Sequence, residues 1–148
     1  PTVTFQNQAD PEIFNDTNTT SFTLFSATPL PLHTADIDLV NEVVYCALVN
    51  SEKEVLIVDR NATANFVVEA PTLATKDFFA LAVAGTSGNL SIVHGTTAGN
   101  IITLTSPTNG LSLGNPTYSE DTGIVMLNIP TTMVPSTSGN DEISIAYT

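Results

Sequence analysis

The chain has no tryptophan, a single cysteine (Cys46), two methionines and only three basic residues, Lys53, Arg60 and Lys76. Each scarcity excludes something. One cysteine cannot build an internal disulfide framework, so a packed core must hold the fold, and the redox compartment stays open. Three cations stand against 15 Asp and Glu, a formal net charge of -12. Affinity for nucleic acid comes largely from cations that displace counterions, so a DNA or RNA surface is excluded, and anionic lipid headgroups by the same reasoning. No stretch approaches the ~20 apolar residues that cross a bilayer as a helix. Without tryptophan, and with only Tyr45, Tyr118 and Tyr147 as tyrosines, the aromatic platforms of a sugar-binding cleft are missing, which weakens both a glycosidase and a glycan-binding module.

What is present suits one folded domain. At 148 residues the chain is of single-domain size, and 42% hydrophobic residues with a mean hydropathy of +0.19 can offset the entropy of ordering the backbone. Only 12% of residues are charged, so the surface must be built from Thr, Ser, Asn and Gly, a composition typical of extracellular and virion-surface β-proteins. The start, Pro1-Thr2-Val3-Thr4, lacks the basic and apolar regions of a secretory signal. It fits either removal of an initiator Met ahead of Pro1 or prior cleavage of a signal peptide.

Short β-rich runs separated by turn residues predict an all-β fold: an antiparallel β-sandwich of jelly-roll or immunoglobulin-like type, with a barrel as the alternative. The runs are Val3 to Gln6, Ser21 to Ser26, Asp36 to Val40, Val43 to Val49, Val55 to Asp59, Asn65 to Glu69, Phe78 to Ala84, Leu90 to His94, Ile101 to Thr105, Leu111 to Leu113, Ile124 to Ile129 and Ile143 to Tyr147. No helix is expected. Links such as Asn50 to Lys53, Gly85 to Asn89, Thr96 to Asn100 and Pro107 to Gly110 are hairpin-sized, so consecutive strands should pair antiparallel. In Val43 to Val49 both alternating sets are apolar, which reads as a central strand covered on both faces, with Tyr45 and Cys46 buried; Phe78 to Ala84 reads the same way.

Residues 1–33 stand apart as an N-terminal arm and connector, followed by a sandwich domain over 34–148. Gln6 to Thr20 is polar and turn-rich, and Pro29-Leu30-Pro31-Leu32 reads as an extended linker. Such an arm needs its own domain or a neighbouring subunit to order it, with Phe14, Phe22 and Phe25 as anchors.

Chemistry finds little footing. There is no G-x-S-x-G, His33 follows the proline-rich connector, and His94 alternates in phase with Leu90 and Ile92, where a packed or hydrogen-bonded role is expected. Cys46 lies mid-strand, far from the exposed electropositive setting a nucleophilic thiol needs. Asp36 and Asp38 share a strand face near Glu42, and Glu120-Asp121 lies in a loop, but neither has the spacing of a calcium loop, and solvated acidic faces are the plainer reading. Sequons at Asn15, Asn18, Asn61 and Asn89 matter only in a glycosylating compartment. The expectation is a non-enzyme with no cofactor and no bound metal.

Edges remain. Sheets usually guard their edges with Lys and Pro, and lysine is nearly absent here, so pairing with other subunits is expected, through the arm (Phe14, Phe22, Phe25) and the last strand (Ile143, Ile145, Tyr147). The Pro start, the Thr/Asn/Gly-rich turns, the scarcity of Lys and the polar arm resemble auxiliary virion proteins of tailed bacteriophages, especially capsid decoration or cement subunits. The resemblance is compositional and transfers no functional residue. It implies a β-rich subunit, often trimeric or another homo-oligomer, that reinforces a capsid or other protein lattice from the virion surface. An outward position agrees with the charge, since packaged DNA repels a subunit at -12. The alternatives are an extracellular adhesive or filament subunit assembled through its arm, or a calcium- or glycan-binding module using Glu120 and Asp121 or the loops around Asn89 and Asn100.

Overall fold

The computed structural model describes residues 12–47, 49 and 53–148. Ten strands and one short helix follow in the order β1 (Thr19–Leu24), β2 (Leu32–Cys46), β3 (Glu54–Glu69), α1 (Phe78–Ala84), β4 (Ser87–Gly88), β5 (Leu90–His94), β6 (Ile102–Thr105), β7 (Leu111–Leu113), β8 (Thr117–Asp121), β9 (Ile124–Met133) and β10 (Ser144–Tyr147). They form two antiparallel sheets that do not close into a barrel. One has four strands in the order β1-β5-β6-β10; the other has the path β2-β3-β9-β7-β4, with β8 added beside β9. The predicted β-sandwich is the observed fold.

The core lies between the sheets, because each contributes one face of alternating apolar residues. Phe22 and Leu24 from β1 and Leu90 and Ile92 from β5 meet Ala64, Phe66 and Val68 from β3 and Leu127 and Ile129 from β9. Phe22 and Phe66 stack across the gap with ring centroids 5.9 Å apart. At one end Phe25 meets Phe78 edge-on, and Gly88 makes room for it: a Cβ there would sit 2.2 Å from the Phe25 ring.

Several expected boundaries move. Phe78 to Ala84 is a helix rather than a two-sided strand. The Asp77 side chain caps it by accepting from the Ala80 N–H at 2.9 Å, and Gly85 ends it in the left-handed region at φ 62°. An apolar run this short has no decisive periodicity, so the two caps select the helix. Glu120-Asp121 sits on β8, which a two-residue turn, Thr122 and Gly123 at φ 50° and 85°, joins to β9. Both positive φ values match the twist of a tight hairpin. Consecutive strands pair in β2–β3, β5–β6 and β8–β9, but β6 and β7 lie in different sheets. The predicted pairs Asp36 to Val40 with Val43 to Val49, and Val55 to Asp59 with Asn65 to Glu69, are each one long strand. The run Val3 to Gln6 lies outside the described residues.

Candidate assembly surface

β2 and β3 pair along nearly their whole length, from Leu32 opposite Val68 to Cys46 opposite Glu54. β9 supports β3 only between Thr63 and Glu69. Beyond that point the two strands continue as a two-stranded ribbon, and Leu39–Cys46 alone reaches about 27 Å at the usual rise per strand residue. Here the sequence reading is corrected. The segment expected to be a central strand covered on both faces is covered on neither: Leu39, Val40, Val43, Val44, Tyr45, Val55, Leu56, Ile57 and Val58 are all exposed, Tyr45 at 60%. Cys46, expected in the core, is a half-buried free thiol near the end of the ribbon. Full burial of one Val, Leu or Ile side chain is worth about 1.5–3 kcal/mol, so nine exposed apolar residues leave several kcal/mol unrealised. An isolated two-stranded hairpin is marginal in water at best.

The ribbon has two unlike faces. Residues directly opposite share a face, so Leu39 with Ala62, Asn41 with Arg60, Val43 with Ile57 and Tyr45 with Val55 prolong the core-facing side of the sheet. Asp36, Asp38, Glu42 with Asp59, and Cys46 with Glu54 lie on the other side. Val58 is an extra residue in β3, because the register passes from Glu42–Asp59 to Val43–Ile57. This is a β-bulge.

The ribbon is tied at its base. Arg60 Nε donates to Asn41 Oδ1 at 2.8 Å, and its guanidinium reaches Glu142 Oε2 at 3.1 Å. Glu142 is only 8% exposed, so this pair joins the hairpin to the segment leading into β10. Lys76 is also engaged, donating to the Phe25 carbonyl at 2.7 Å.

The contact residues expected from sequence fall into three groups. Phe22 and Phe25 are buried in this chain's own core, at 9% and 4% exposure. Phe14 is half exposed and packs on His94, with ring centroids 5.6 Å apart. His94 also contacts the Thr19 hydroxyl and the Glu12 carbonyl, each at 3.2 Å, so the described part of the arm docks on its own domain. Just ahead of the last strand Ile143 packs partly against the core, whereas on it Ile145 and Tyr147 stand out at 50% and 75% exposure. Among the described residues β10 pairs with β6 alone.

Groups with chemical potential remain scattered. His33 lies 3.4 Å from Asp121, both about half exposed. Asp36 and Asp38 border a shallow groove with Thr63, Asn65 and Thr132. Among the described residues no three His, Cys, Asp or Glu side chains gather as a metal site, and no helix is long and apolar enough to cross a membrane. Asp141 is held below the usual carboxylate range because it accepts from the Ser136 hydroxyl and from the Ser136 N–H, the latter at 2.8 Å.

Charge is unevenly distributed between the sheets. No Asp, Glu, Lys or Arg lies in β1, β5, β6 or β10. β2, β3 and β8 carry Asp36, Asp38, Glu42, Glu54, Asp59, Arg60, Glu69, Glu120 and Asp121.

No protein-family model matches the sequence, and no curated protein matches it. Among solved structures the fold is similar to a chain from the tail of an empty GTA particle, determined by helical refinement with C6 symmetry. That likeness has a TM-score of 0.52 at 13% identity and covers 80% of this chain and 83% of the other.

Proposed function

We propose that the protein is a structural subunit of a phage-like particle that associates with copies of itself, belongs to a tail, and catalyses no reaction. The observation that carries this reading is the ribbon: a long apolar hairpin on which, among the described residues, no second layer lies. Contiguous exposed apolar surface marks an interaction site, and a subunit repeated by symmetry supplies the missing cover from its neighbour. The likeness of fold to a chain from a six-fold symmetric tail supports the same reading. The partner is therefore a further copy of this chain.

The outer-capsid decoration subunit is the second reading, favoured by the net charge of -12, which suits a position away from packaged DNA. Electron microscopy of the purified chain at rising concentration separates the two. Stacked rings or open-ended rods are expected for a tail subunit. A monomer or closed small oligomer that never extends, yet binds preformed shells, would establish decoration instead.

A further inference from the structure

The two sheets of the sandwich overhang each other at different places. The six-stranded sheet runs on as the ribbon, whose core-facing side leaves Leu39, Val43, Tyr45, Val55 and Ile57 exposed, with no opposite layer among the described residues. The four-stranded sheet ends in β10, where the register places Ile145 beside Leu104 and Ile92, and Tyr147 beside Ile102. Ile92 is core, so Ile145 and Tyr147 belong to the same core-facing side, and here too the second layer stops short. We propose that the ribbon of one copy covers Ile145 and Tyr147 of the next, so that each overhang completes the sandwich of a neighbour. This deepens the assembly reading above and rests on it.

Charge selects a second copy as the occupant. Chains at -12 repel unless the surfaces that meet are free of acids, and the β10 end meets that condition because its whole sheet carries no Asp, Glu, Lys or Arg. The core-facing side of the ribbon meets it as well. Arg60 on that side is neutralised by Glu142, while Glu42, Glu54 and Asp59 are sorted to the opposite side. The two surfaces differ, so the contact is head-to-tail, the kind that closes into rings or propagates as a helix.

Cross-linking tests the contact directly. In a Cys46→Ser background, Tyr45→Cys chains are mixed with Tyr147→Cys chains under assembly conditions and mildly oxidised. Disulfide-linked pairs containing one chain of each kind are expected to dominate; a predominance of like pairs, or no linkage in assembled material, overturns the proposal. In parallel, Ile145→Asp and Val43→Asp are each expected to raise the concentration needed for assembly at least tenfold without lowering the monomer's melting temperature appreciably. If Val43→Asp blocks assembly and Ile145→Asp leaves it unchanged, the ribbon's landing place is wrong while self-assembly stands. If the parent chain stays monomeric at every concentration, both readings fall.

Discussion

The two halves of the β2–β3 hairpin are made of the same strands and obey different rules. In the lower half β3 alternates, with Ala62, Ala64, Phe66 and Val68 buried and Thr63 and Asn65 facing outward, as a sheet with one wet face requires. In the upper half alternation stops. Val55-Leu56-Ile57-Val58 faces Val43-Val44-Tyr45, apolar on both sides and exposed on both. The lower half is complete within one chain; the upper half has the composition of an interior without an interior around it. Stability and association are thereby assigned to different segments of one hairpin, and substitutions should separate them.

The largest effect is expected from replacing Val43 and Ile57 together by Asp. Sedimentation should show assembly abolished, while the monomer unfolds within ~0.5 kcal/mol of the parent, as exposed substitutions usually do. A large loss of monomer stability would show that the ribbon is part of the folding core and would break the comparison. Phe66→Ala, in the lower half, should do the opposite: a loss of about 3–5 kcal/mol in urea unfolding, with assembly failing only because the subunit unfolds. Arg60→Ala lies at the boundary. It strands the buried Glu142 carboxylate, but Arg60 itself is partly solvated, so the expected cost is about 1–3 kcal/mol, and Arg60→Lys should recover only part of it because a single ammonium cannot hold both Asn41 and Glu142. The smallest effect concerns Asp141, far from either half. Its lowered pKa contributes stability that is full above the ordinary carboxylate range and is lost as pH falls through the lowered value. Ser136→Ala should therefore lower stability slightly at pH 7 and leave it unchanged in acid below the lowered value, a difference that urea unfolding at the two pH values would read.

These features were unequally legible in the sequence. Two antiparallel sheets followed from tight links and period-two patterns, and Leu90 to His94 and Leu111 to Leu113 fall where those patterns put them. The helix was hidden by its seven-residue length, although Asp77 and Gly85 flank it as caps. The sequence breaks the long strands at Asn41-Glu42 and over residues 60–64, where polar and small residues interrupt the apolar runs although the ladder continues through both. Val43 to Val49 reads in the sequence as a strand covered on both faces, whereas its described residues are exposed on both. Periodicity reports how many faces of a strand avoid water; it does not say which molecule keeps the water away. Ile145 and Tyr147 were accessible as edge residues, but the absence of charge around them emerged only when distant segments were assembled into one sheet.

The extra residue at Val58 carries a further consequence. Below it the even-numbered residues of β3 point toward the core side, and above it the odd-numbered ones do, so Asp59 and Glu54 reach the same side although one has an odd and the other an even number. The hairpin thus has a reading frame. Removing Val58 would close the bulge and leave Ile57 opposite Val43 on the core side and Glu54 on the other, whereas removing one cross-strand pair, such as Asn41 with Arg60, would turn Val43 and Ile57 away from the core side. Length in this arm can change by two cross-strand pairs at a time with its polarity kept, while loss of a single pair would reverse which side of the arm is sticky.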